Sequence, residues 1–274
     1  MTRNQLFSFI KSKESFLCVG LDPDLARLPE SVRSEEEPVL AFLEGIINAT
    51  KDYCVAYKPN LAFFEALGEK GWEIFAKTVQ LIPDTHMIIA DAKRGDIGNT
   101  ARKYAQAFFD EFGCDALTVA PYMGHDSVTP FLESEGKWTV LLGLTSNPGS
   151  QDFQHRRMAG GVPLYELVVR EATTWGTPDQ LMFVVGATQG DSIQHLRTLA
   201  PDYFFLVPGV GAQGGDLETV ARLGMNDHCG LLVNASRSIL YASSGEDFAD
   251  AAGQEAKRLQ QEMKIYLGEY LLES

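Results

Sequence analysis

A carboxylate and an ammonium stand two residues apart in Asp91-Ala92-Lys93-Arg94-Gly95-Asp96-Ile97, where the apolar run Met87–Asp91 ends. On an extended chain that spacing points both side chains to one side. Asp22, in Gly20-Leu21-Asp22-Pro23-Asp24, and Lys58, in Tyr57-Lys58-Pro59-Asn60, close two other apolar runs. Alternating charges gathered in a poorly solvated pocket hold one another ionised. Such a set can stabilise developing negative charge and then deliver a proton. A single pair would be read as a structural salt bridge, but four charges at three adjacent run ends favour a site.

Two other segments suit an anion. Pro208-Gly209-Val210-Gly211-Ala212-Gln213-Gly214-Gly215-Asp216 has four glycines in nine residues, so backbone N–H groups can approach a ligand closely. Val233-Asn234-Ala235-Ser236-Arg237-Ser238 puts an arginine beside the amides of a helix start, a phosphate grip. Ser146 has no His or Asp near it in sequence and no G-x-S-x-G around it, so it reads as a hydrogen-bonding group, not a nucleophile. His86, His125, His155, His195 and His228 lack ligand spacing and are expected at the surface or at caps; His125-Asp126 is the one pair held in reserve for a site. Cys18, Cys54, Cys114 and Cys229 lie far apart, in or beside apolar runs. They read as buried free thiols suited to a reducing cytosol, with no zinc site.

Some scaffold must bring these groups together. Apolar runs recur at Phe16–Leu21, Tyr53–Tyr57, Met87–Asp91, Ala116–Ala120, Thr139–Leu144, Leu181–Gly186, Tyr203–Val207 and Gly230–Val233. Most are apolar throughout, as parallel strands buried on both faces are. Segments of helical period lie between them, with Ala41, Phe42, Ile46 and Ala49 as one stripe and Leu164, Leu167 and Val168 as another. Met1–Ser15 reads as a first amphipathic helix without a signal-peptide core. Eight strand–helix repeats in about 250 residues predict an α/β fold, a closed (β/α)8 barrel with one domain over residues 1–274. A doubly wound open sheet usually has fewer strands and often a glycine-rich first turn, which Gly20-Leu21-Asp22 is not. In a barrel the chemistry sits where strands end, and the loops after strands seven and eight are a recurrent phosphate site. Two connections are long, 23–52 and 145–180; the first holds the acidic Glu35-Glu36-Glu37, expected in solvent, with Pro38 early in a helix.

Lys and Arg number 23 against 37 Asp and Glu, for a net charge of −14. So acidic a chain repels nucleic acid and anionic membranes, and an anionic ligand must be held by a few placed cations. No apolar run reaches the ~18 residues of a membrane span. Hydrophobic residues at 45% and charged residues at 22% exclude a disordered or collagenous chain.

Together these motifs resemble the orotidine 5'-phosphate decarboxylase family, in its longer bacterial branch. The D-x-K-x-x-D signature reads Asp91-Ala92-Lys93-Arg94-Gly95-Asp96 within DAKRGDIGNTA, and Pro208–Asp216 and Arg237-Ser238-Ile239 also match. The resemblance implies a cytoplasmic barrel enzyme that converts orotidine 5'-monophosphate to UMP and CO2, the last step of de novo pyrimidine synthesis, with no cofactor and no metal. It implies Lys93 as proton donor to C6, Asp91 against the substrate carboxylate, and Lys58 and Asp96 completing the charge network. Asp96 and Thr100 would cross a homodimer interface. Asp22 and Lys58 would hold ribose hydroxyls, Ser146 would read the pyrimidine edge, and Gln213, Arg237 and the amides around Ser236 would bind phosphate. The loop from Pro208 to Asp216 would close over the substrate. Many shorter relatives have glycine before Arg-Ser-Ile, where this chain has Asn234-Ala235-Ser236. A sister lineage acting on keto-gulonate or hexulose phosphates shares D-x-K-x-x-D but uses Mg²⁺ and a further carboxylate near the second strand. This chain has Lys58-Pro59-Asn60 there, with Glu65 farther on. A non-catalytic phosphate-ligand sensor would have lost part of the charge set, and none is missing here.

Overall fold

The computed structural model describes residues 1–186, 190–209 and 216–271. Eight parallel strands close into a barrel in chain order: β1 (Leu17–Leu21), β2 (Ala56–Pro59), β3 (Met87–Arg94), β4 (Ala116–Val119), β5 (Trp138–Leu144), β6 (Leu181–Val185), β7 (Phe204–Pro208) and β8 (Leu231–Ala235). The barrel shuts through Leu17↔Val233, Cys18↔Asn234 and Val19↔Ala235. Parallel neighbours cannot be joined by tight hairpins, so helices carry the chain back on the outside. The 24-residue helix Phe248–Leu271 ends the circuit and packs along Pro38–Thr50. An N-terminal helix, Arg3–Lys13, starts with a capping box between Thr2 and Gln5 and buries Leu6 and Ile10. All four cysteines are buried and free.

The strands coincide with the predicted runs to within a few residues, and the second is the informative exception. Its run was expected at Tyr53–Tyr57, but the strand is Ala56–Pro59. Tyr53 N–H closes a turn on Thr50 C=O, and Cys54 is buried beneath the barrel before the chain extends. Apolar composition there reports burial, not strand. Both helical stripes fall on helices, the first with Phe42 and Ile46 buried as read and the second turned off the buried face. Pro38–Thr50 buries Val39, Phe42, Leu43, Ile46 and Ile47, leaving Ala41 and Ala49 half-buried, because the bulkier side chains set the inward face. Leu164–Ala172 buries Tyr165, Glu166, Val169 and Ala172, while Leu164, Leu167 and Val168 are half-buried. Glu166 can face inward because Arg170 and His195 bond its carboxylate at 2.6 and 2.8 Å. Pro38 opens its helix, and Glu35 and Glu36 are exposed, as expected.

Candidate active site

β2 and β3 bring two lysines onto one carboxylate at the C-terminal mouth. Lys58 Nζ lies 2.7 Å from Asp91 Oδ2, and Lys93 Nζ lies 2.5 Å from Asp91 Oδ1. Thr118 Oγ1, on β4, is 3.1 Å from that same Oδ1. Lys58 is 5% exposed and Asp91 8%, whereas the Lys93 side chain reaches solvent. Burial opposes charge on Asp91, but Lys58 and then Lys93 outweigh it and hold the carboxyl down to about 2. Burial likewise opposes charge on Lys58, and the fields of Asp91 and Asp22 overcome it, so its pKa lies above the usual lysine value. The pair stays ionised at neutral pH, and Lys93 adds a local positive charge in an acidic chain.

Lys93 does not reach Asp91 by simple alternation along a strand. Its φ is +47°, in the left-handed region where non-glycine residues are uncommon. The β3–β4 ladder passes from Ala90↔Leu117 to Arg94↔Val119, so β3 bulges between them. The Lys93 N–H turns off the ladder and donates to Thr118 Oγ1 at 2.8 Å.

Across the mouth, Ser236 Oγ donates to Asp22 Oδ2 at 2.6 Å. The Tyr241 hydroxyl donates to Asp22 C=O at 3.0 Å and accepts from Asp24 N–H at 2.7 Å, tying the turn after β1 to the helix Arg237–Leu240. Gly20 permits this approach, since a Cβ there would lie 2.7 Å from Ser236 Cβ. Asp22 Oδ1 and Asn234 Oδ1 are buried acceptors with no hydrogen-bond donor among the described residues. Arg237 is exposed at the start of its short helix. Pro208 ends β7 opposite Asn234. Ser146 follows β5 and packs on Gly186, where a Cβ would come within 2.9 Å of Ser146 N. Gln213 lies outside the described residues.

The profile of the orotidine 5'-phosphate decarboxylase / HUMPS family matches residues 15–252. The chain belongs to this family. It is 55% identical to an orotidine 5'-phosphate decarboxylase of Phocaeicola vulgatus, over 96% of this chain and 98% of the relative. It is 56% identical to one of Parabacteroides distasonis, over 97% and 96%. The solved OMP decarboxylase of Leishmania donovani superposes with a TM-score of 0.80 at 34% identity, covering 95% of this chain and 99% of that one.

Within one chain, then, the decarboxylase-family signature is only partly assembled. Asp91, Lys93 and Lys58 converge. Asp96 Oδ1 instead accepts from the N–H of Ile97 at 2.8 Å, and Thr100 is exposed on the helix Gly98–Ala105. The reserve pair His125-Asp126 stays local: His125 Nε2 is 2.9 Å from Thr129 Oγ1, and its ring meets Trp175 edge-on. His86, expected at the surface or at a cap, is 3% exposed; its Nε2 lies 2.6 Å from Lys13 Nζ and 2.7 Å from Lys51 C=O. Buried polar contacts from two elements drew it inside, and a single His carries no sequence mark of that. Thr118 and Tyr241 were not singled out from sequence. Thr118 had a signal, as the one polar residue of the strand Ala116-Leu117-Thr118-Val119.

Proposed function

We propose that the chain decarboxylates orotidine 5'-monophosphate to UMP and CO2 with Lys93 as the proton donor, and the observation that carries this reading is the Lys58–Asp91–Lys93 array. Breaking the C6–carboxylate bond leaves its electron pair on C6, in an orbital that no ring π-system delocalises. Electrostatic preorganisation is the remedy, because charges already in place need no reorganisation as the reaction proceeds. Asp91 aims the Lys93 ammonium, and Lys58 holds Asp91 from the other side. As C6 gains negative charge the ammonium approaches it, then transfers its proton and becomes a neutral amine. In this reading Asp91 would also crowd the substrate carboxylate. Asp22 and Lys58 would take ribose hydroxyls, and the open Oδ1 of Asp22 is an acceptor for one. Ser146 would face the pyrimidine edge. Arg237, the Ser236 amide, Gln213 and the loop from Pro208 would hold phosphate, whose binding energy can drive closure and so contribute to rate.

The working unit in this reading is a homodimer, in which Asp96 and Thr100 of the partner subunit complete each cluster. Exposed apolar side chains support it: Ile97 after β3, Tyr122 and Met123 after β4, and Phe153 after β5 gather on the mouth side. A cytoplasmic setting fits the four free thiols. No helix among the described residues is long and apolar enough to cross a membrane. The Mg²⁺-dependent sister chemistry fits less well, because Glu65 is taken up in an ion pair with Arg94. The test is loss of orotidine 5'-monophosphate absorbance with EDTA present. Turnover that survives chelation supports the reading. Inactivity there, with Mg²⁺-dependent activity on a sugar-phosphate keto acid, overturns it.

A further inference from the structure

We propose that Thr118 is a positioning residue that sets the geometry of the Asp91–Lys93 pair through both ends of its hydroxyl. The inference rests on the proton-donor role given to Lys93 above. Thr118 is 1% exposed, inside a strand that is otherwise apolar. Its Oγ1 receives the Lys93 N–H at 2.8 Å. The hydroxyl has one proton to give and two acceptors in reach, Asp91 Oδ1 at 3.1 Å and Ala90 C=O at 3.4 Å. The carboxylate is nearer and charged, so it takes the proton.

Two consequences follow for the reacting groups. The bulge in β3 removes Lys93 N–H from the ladder, and a buried donor without a partner is costly. Thr118 supplies that partner and so holds Lys93 at a φ of +47°. Its donated proton also fixes Asp91 Oδ1, the oxygen that carries Lys93 Nζ. One side chain thus places the backbone of the proton donor and the anion that aims it, without lying on the path of the proton. An ordinary core threonine would need neither bond, and valine would fill its volume.

The experiment compares Thr118→Val, Thr118→Ser and Thr118→Ala, with Lys93→Ala as a control. Thr118→Val should keep KM within about threefold and lose kcat by roughly 10²-fold, the scale of a small misplacement of a reacting group. Thr118→Ser restores the hydroxyl and should recover most of kcat, while Thr118→Ala should resemble Thr118→Val. Amide hydrogen exchange at Lys93 reads the first bond with no turnover at all: protection should vanish in Thr118→Val and persist in Thr118→Ser. Unchanged kcat in Thr118→Val, a serine variant no better than alanine, or unchanged exchange at Lys93 would each overturn the proposal. Should Thr118→Val fail to fold, the serine and alanine pair decides alone. Full activity in Lys93→Ala would instead defeat the proton-donor reading, and the exchange result would show separately whether Thr118 holds the backbone.

Discussion

Lys93 is the residue on which the proposed chemistry turns, and the exposure of its side chain separates that role from folding. Removing it leaves Asp91 paired with Lys58 at 2.7 Å, so Lys93→Ala should fold while kcat falls by about 10³-fold or more, as steady-state assay and circular dichroism would show. His86 makes the opposite case, a titratable group with a folding role. Burial, then the charge of Lys13, pushes its pKa down to about 4. An unfolded histidine titrates near 6.5, so as pH falls from ~6.5 to ~4 the unfolded chain takes up a proton that the folded one refuses. Its contribution is full above that window and is lost on descending through it, by on the order of 3 kcal/mol. His86→Gln should flatten the wild-type pH dependence in that window, measured by urea unfolding. Asp91 acts lower: its contribution is present above the unfolded carboxyl value and lost as pH drops toward about 2.

Among the elements, the helices Leu61–Glu65 and Glu69–Leu81 bring their backbones close together at Gly71. A Cβ on Gly71 would lie 1.7 Å from Phe64 O, which no side-chain adjustment relieves. Gly71→Ala should therefore cost at least ~1–3 kcal/mol, read as a lowered urea midpoint with unchanged slope. Nothing in the sequence around Gly71 marks this contact, because it depends on the angle between two helices. Strand existence was legible, since runs such as Leu181–Val185 are apolar at every position. Strand edges were less so, as Cys54 shows, because burial just before a strand and burial within it select the same residues. The charged groups could be found because they break apolar runs. Thr118 breaks one more quietly, and the bulge that makes it useful arises from pairing between strands, which local pattern does not encode.

At the scale of the molecule, a shared site has an arithmetic consequence. If Asp96 serves the neighbouring subunit, Lys93→Ala and Asp96→Asn are each inactive alone but complementary when mixed. Hybrid dimers carry one intact site, so random reassociation of equal amounts should restore about a quarter of wild-type activity. A mixture that stays inactive after verified subunit exchange would show that Asp96 works in its own chain. The four buried cysteines lend themselves to something else. Cys18 lies within β1, and Cys54, Cys114 and Cys229 precede β2, β4 and β8; all are fully buried, and burial pushes the last three up to about 12. A thiol reagent at neutral pH can modify them only in moments when the wall opens. The chain therefore carries four gauges spaced around its staves. If they label together, at a rate that tracks denaturant, the barrel parts as one unit; if Cys54 or Cys114 runs ahead of Cys18, the floor loosens before the walls.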